Sequence, residues 1–223
     1  MHRFKLISFT LLLTVFLAGI PALTGAGRVA AQEIKKVRLQ DRPSKSDDTR
    51  IAVKLNGLIG IAIVNPAVEF KVWKRGTVQL EGFGSFHSTN FLGTGHPFVI
   101  GATFAEFRFY IKKAFDGFYF GPNIGWGVYK LNKSLVFRYG DQYNDDSYQQ
   151  GSNIMVGATI GYQFNIGKHW SIEASWSGGF QQSVYDGYRR NNPTEDYVCY
   201  TYRDASAEWP PLYKGGIFVV YRF

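Results

Sequence analysis

Residues Tyr213–Phe223 read YKGGIFVVYRF. Ile217, Val219, Tyr221 and Phe223 share one face of an extended chain, and Lys214, Phe218, Val220 and Arg222 share the other, because successive side chains alternate across a strand. One face is wholly apolar and the other carries the cations. Left unpaired, such a strand is a template for aggregation. Its edge must be taken up by a partner or by closure of the sheet on itself, and the spacing predicts a barrel-closing strand.

Period-2 alternation recurs from Ile51 onward and predicts eight strands in all. The first runs from Ile51 to Gly57 and, after a turn at Val64-Asn65-Pro66, the second from Val68 to Val72. The next five are centred on Val78–Phe83, Val99–Ile111, Phe118–Tyr129, Ile154–Phe164 and Trp170–Phe180. Tight connections at Lys74–Gly76, Lys113–Gly117 and Ile166–Lys168 alternate with longer ones at His87–Pro97, Leu131–Ser152 and Ser183–Leu212. That is the pattern of an antiparallel up-and-down barrel with one end of turns and one of loops. Pro122 falls in mid-strand, where its missing donor predicts a bulge.

Side-chain size selects the kind of barrel. Eight strands enclose a space only wide enough for side chains. Gly121, Gly125, Gly127, Gly157, Gly161, Ser175 and Gly179 fit it; Phe118, Phe120, Trp126, Trp170 and Trp176 together do not. The bulky face therefore points outward, the reverse of a water-soluble barrel, and the expected fold is an all-β, eight-stranded antiparallel transmembrane barrel. Aromatic residues near the strand ends form two girdles, as at the two interfaces of a membrane.

By the same parity Lys54, Lys71, Arg108 and Arg222 point inward against Glu69, Glu81, Glu106 and Glu173, four charges of each sign. Buried charges persist when paired and hydrogen-bonded, so a salt-bridge network is expected to fill the lumen. The balanced signs and narrow bore argue against an ion pathway.

Met1–Ala31 has a basic start (His2, Arg3, Lys5), an apolar core (Leu6–Ile20) and small residues before Gln32, the form of a secretory signal. Removing its three cations lowers the net charge from +8 to +5. Gln32–Arg50 is polar and aperiodic, and is expected to be a flexible periplasmic tail; residues 51–223 form the barrel. The charges are dispersed with no basic stripe, which argues against nucleic acid. Cys199 is the single cysteine, so no intrachain disulfide forms.

Candidate chemistry is sparse. His169 and Ser171 invite comparison with outer-membrane lipid A deacylases, but parity turns both inward and no acid stands out as the third group of a nucleophile–base pair. Asp141, Asp145 and Asp146 match no defined metal loop. Neither a catalytic set, a metal site nor a cofactor is expected. The long loops are richer: Tyr143, Tyr148, Tyr188, Arg189, Arg190, Tyr200 and Trp209 are of the types enriched at binding hot spots. They form either a binding surface or a lid packed on itself.

The segments IAVKLNGLIGIAIVNPAVEFKV, FAEFRFYIKKAFDGFYFGPNIGWGVYK, GATIGYQFNIGKHWSIEASWSGGF and YKGGIFVVYRF resemble a small outer-membrane barrel family of Bacteroidota, a domain of unknown function within the OmpA-like barrel group. The terminal strand, with Tyr221 and Phe223, likewise resembles the assembly signal read by the barrel-assembly machinery. The resemblance implies an outer-membrane location, contact with its lipid, and no catalytic residues. The expected role is non-enzymatic: an envelope structural protein, or a surface binder that presents aromatic loops to a protein or glycan. A lipid A-modifying enzyme and a channel for small solutes or hydrophobic ligands are the alternatives.

Overall fold

The alternating stretches become ten strand segments that build eight staves. The computed structural model describes residues 49–93, 96–132, 146–190 and 194–223; the expected leader, and the tail up to Asp48, lie outside them. The segments are β1 (Ile51–Asn56), β2 (Ile63–Val64), β3 (Pro66–Lys71), β4 (Gly76–His87), β5 (Phe98–Tyr110), β6 (Gly117–Leu131), β7 (Ser147–Asn165), β8 (Trp170–Arg189), β9 (Val198–Glu208) and β10 (Lys214–Arg222). Each pairs antiparallel with its neighbours, and β10 pairs with both β8 and β1, which closes the wall. β2 and β3 keep one register against β4 and make one stave; β9 and β10 follow each other along β8 and make another.

The closure carries the stagger that inclined strands require. A path of paired residues from Lys54 runs through Ala67, Glu81, Phe104, Gly125, Met155 and Gln181 to Glu208. The partner of Lys54 on its other side is Val220, so one circuit climbs far up the last stave, as shear in a closed barrel demands. The end that holds Arg50 and Arg222 is called the lower end.

Several sequence expectations are corrected. The first turn is not at Val64–Pro66 but at Gly57–Ile61, a 3-10 turn capped by the Asn56 side chain, which accepts from Leu58 N, and ended by Ala62 in the left-handed region at φ 55°. Asn65 and Pro66 lie within the second stave, where Asn65 Nδ2 donates to the Gly82 carbonyl at 2.7 Å. The Ser183–Leu212 connection is mostly a hairpin of β8 and β9, and β7 starts at Ser147, inside the expected Leu131–Ser152 loop.

Pro122 produces no bulge. Glu106 opposite Asn123 and Phe109 opposite Phe120 are in one register, and the two residue pairs between them drop out of the ladder. Gly121 makes this possible: a Cβ there would overlap the carbonyl oxygen of Phe107. Gly121→Ala is expected to destabilise by about 1–3 kcal/mol through this overpacking, read from the denaturant midpoint. A wild-type midpoint would show that the β5 backbone yields freely at this point.

Burial confirms the expected orientation of the faces. Trp126 is 54% exposed and Trp176 44%, whereas Arg108 and Glu173 are 0%. Two apolar layers cross the lumen. In the lower one Phe115, in the β5–β6 turn, is fully buried against Ala52, Phe218 and Val220. In the upper one Ala102, Phe104 and Met155 pack with Tyr213, whose ring lies parallel to Phe104 at 6.1 Å between centroids. Gly178 lets the Pro210–Pro211 segment tuck against β8, where the Trp176 indole donates to the Pro211 carbonyl at 2.7 Å.

Candidate functional site

Between the two apolar layers lies the polar core. Arg108 on β5 is its hub: Nε donates to Glu106 Oε1 at 2.5 Å, and Nη1 donates to Glu173 Oε1 at 2.9 Å and Glu69 Oε2 at 3.4 Å. Its guanidinium also sits 4.4 Å from the Tyr119 ring centroid. Lys54 bridges Glu69 and Glu173. The Tyr110 and Tyr119 hydroxyls donate to Glu69 and Glu173, each at 2.8 Å. A second centre forms around Lys214, whose ammonium lies 2.7 Å from both Glu81 and Glu106, with Asn65 and Gln79 amides donating to Glu81.

Six of the eight expected lumen charges, Lys54, Glu69, Glu81, Glu106, Arg108 and Glu173, therefore meet. The other two do not join this centre. Lys71 is half-buried at the lower end of β3, and Arg222 donates from Nη2 to the Gly167 carbonyl at 2.7 Å. Lys214 takes the place expected of them. Its parity already put it inward, on the cation-bearing face of the Tyr213–Phe223 strand, although the eight expected lumen charges do not include it. Tyr110, Tyr119, Thr77 and Thr159 complete the carboxylates' hydrogen bonds and could have been found by the same alternation. The cluster sets three cations, Lys54, Arg108 and Lys214, against four carboxylates, Glu69, Glu81, Glu106 and Glu173, in a buried space. The tyrosine and threonine hydroxyls share the surplus negative charge, while Arg108 Nη2 and Gln79 Oε1 are left without a hydrogen-bond partner, so the network orders the core without being fully satisfied.

His169 and Ser171 are not a pair. His169 Nδ1 lies 2.9 Å from the Arg222 carbonyl, while the Ser171 hydroxyl donates to Asn165 Oδ1. Among the described residues no group of three or more His, Cys, Asp or Glu side chains is arranged to hold a metal ion.

The upper end carries the second constellation. Tyr148 and Tyr188 are cross-strand partners on β7 and β8, and their rings stack at 5.0 Å with an 18° interplanar angle. Tyr197 meets Tyr148 edge-on at 4.8 Å. Lys130 lies over Tyr148 at 4.4 Å and Arg190 over Tyr197 at 4.7 Å, with Arg190 also paired to Asp146 at 3.1 Å. Arg189 stands 5.9 Å from the centroid of Tyr200, whose ring approaches the bare Cα of Gly187. Above the apolar belt, burial pushes the Tyr148 phenol above its ordinary value, and the adjoining Tyr188 and Tyr197 phenols add to the shift.

Five of the seven expected loop residues, Tyr148, Tyr188, Arg189, Arg190 and Tyr200, thus collect on one hairpin system, and Tyr197 and Lys130 join them. Trp209 stands against Phe180 instead, at 5.3 Å, and Tyr143 lies outside the described residues. The rings are packed on one another yet not covered: Tyr197 is 36% exposed and Tyr200 44%. The arrangement is a stacked, partly exposed aromatic surface flanked by cations.

Searches of curated proteins and of solved structures find no match. A family model described as "Protein of unknown function (DUF3575)" matches residues 33–223, that is, the whole barrel and the segment leading into it. With a match over that length, the chain belongs to the DUF3575 family.

Proposed function

We propose that this protein is a non-enzymatic outer-membrane β-barrel that displays its upper aromatic cluster to a surface protein or glycan. One observation carries the membrane part of the reading: the polar side chains are inside and the apolar ones outside. On β6 the exposed face reads Phe118, Phe120, Ile124, Trp126 and Val128. Ten residues of rise on a strand inclined by ~40° span roughly 26 Å, the height of an outer-membrane apolar band. β9, which pairs only with β8 among the described strands, lies above this band. An open edge is tolerated there and not within hydrocarbon.

In this reading residues 1–31 direct export, Tyr221 and Phe223 are recognised by the barrel-assembly machinery, and the resemblance to OmpA-like barrels of Bacteroidota has its physical basis in the outward belt. The two apolar layers and the charge network that fill the bore favour a structural or binding role over a channel. Two measurements test the proposal. Full-chain protein folded from urea into lipid vesicles is expected to become protease-resistant and to shift mobility on heating. Intact cells carrying Tyr188→Ala with Arg190→Ala are expected to lose, by about tenfold or more, a partner captured by the native protein, since hot-spot truncations cost ≥ ~2 kcal/mol each. Failure to insert removes the membrane reading, and an unchanged set of partners removes the binding role.

A further inference from the structure

Charge is distributed very unevenly between the two ends. The lower turns join β3 to β4, β5 to β6 and β7 to β8. They carry Lys74, Arg75, Lys112, Lys113 and Lys168, and a single acid, Asp116, which is itself bonded to Asn165 at 3.0 Å. At the upper end, by contrast, Asp186, Glu195, Asp196 and Asp204 are interspersed with the arginines. A ring of one sign attracts the opposite sign and falls off within a Debye length.

Part of this ring is concave. Arg50, Lys71, Lys74, Val72 and Trp73 line a depression of about 490 Å³. Backbone hydrogen bonds shape it: Lys71 N donates to the Arg50 carbonyl at 2.8 Å, and Val72 N to the Gly76 carbonyl at 3.0 Å. Three cations thus converge, no acid is among the described residues that line the depression, and its apolar part, Val72 and Trp73, adjoins the outward belt. Val72 is 56% exposed and Trp73 49%, and the Trp73 ring is braced against Phe107 at 4.9 Å.

We infer that this depression holds the phosphate of an anionic phospholipid, with Trp73 at the level of the glycerol and the acyl chains running up the belt. The inference rests on the membrane reading above. The juxtaposition selects an amphiphile: a water-soluble anion would use the three cations and leave Val72 and Trp73 in water, whereas a phospholipid covers both. Tryptophan at such a boundary presents an apolar ring to the chains and a polar N–H to the headgroups. Juxtamembrane cations contribute about 1 kcal/mol each toward anionic lipid. The lower ring would then set which leaflet the end faces and which lipid it gathers.

The experiment uses the full chain folded into nanodiscs of mixed phosphatidylglycerol and phosphatidylcholine, with co-purifying lipid counted by native mass spectrometry after transfer to detergent. The native protein is expected to retain phosphatidylglycerol over phosphatidylcholine by about tenfold or more at ~0.15 M salt. Arg50→Gln with Lys74→Gln should lower that ratio to near one, Trp73→Ala should shorten retention without reversing the preference, and Arg203→Gln at the other end should leave it unchanged. Protease resistance in the same nanodiscs reads insertion separately. A chain that inserts without lipid preference, or whose preference survives Arg50→Gln with Lys74→Gln, overturns the inference alone; a chain that does not insert overturns the membrane reading with it. Full displacement of the lipid by glycerol 3-phosphate, inorganic phosphate or polyglutamate would assign the site to a soluble anion and remove the lipid.

Discussion

Replacing Arg108 by alanine is expected to cost about 3–5 kcal/mol of folded-state stability, the range found when one partner of a buried ion pair is removed. The reason is the company it keeps. Glu69, Glu106 and Glu173 all lie within 3.4 Å of its guanidinium, and all are buried. Without Arg108, Lys54 and Lys214 are left facing Glu69, Glu81, Glu106 and Glu173 in a space that water does not screen. The measurement is the urea midpoint of the refolded protein in detergent or vesicles. Arg108→Ala with Glu173→Gln should recover part of the loss, because it returns the cluster to its native surplus of one negative charge while leaving the cavity. A single-variant loss below ~1 kcal/mol would mean that the lumen is wet and the network solvated, as for surface pairs.

The second large effect is expected at Phe115. Its ring is fully buried beneath the charge network, 6.4 Å from Tyr110, and Phe115→Ala should cost about 3–5 kcal/mol as buried aromatic truncations do. The residue also sits in the left-handed region, at φ 65°, where a side chain carries strain that glycine does not. The two contributions separate in a series. Phe115→Gly loses the same ring but relieves the backbone, so midpoints should rank native, then glycine, then alanine. If alanine matches the native protein, the ring is not a seal. If glycine falls below alanine, the strain argument is wrong.

How much of this was legible beforehand depended on whether a stretch faces two different surroundings. Along β6, with one side in the core and the other apolar and exposed, alternation from Phe118 to Tyr129 shows strand, parity and orientation together. Above the belt both faces are polar, and the pattern fades: Gln181-Gln182-Ser183 and Asp204–Glu208 are strand without looking like strand, so the hairpin read as a loop. The opposite failure occurs at Gly57–Ile61, where a continuous apolar run gives no sign of turning; the signal was the cap, Asn56, whose side chain accepts from Leu58 N at 3.1 Å. Pro122 misled because the rule about its missing donor does not say how the partner strand adapts, and here a neighbouring glycine absorbs the change. The lumen charges were readable one by one from parity. Their partners were not, since Lys54 and Glu173 meet across 119 residues of chain.

The division of the last stave into β9 and β10 has a consequence for how the molecule yields. β10 is held on both sides, by β8 and β1, while β9 is held among the described strands by β8 alone, and Pro210-Pro211 separates them. Amides of β1 and β10 should therefore exchange with solvent only when the entire barrel comes apart, whereas those along the outer side of β9 should exchange through local fraying at little cost. The upper hairpin is in that sense a detachable module: foreign sequence grafted between Arg190 and Val198 has a route to fold, or fail to fold, without consulting the wall below.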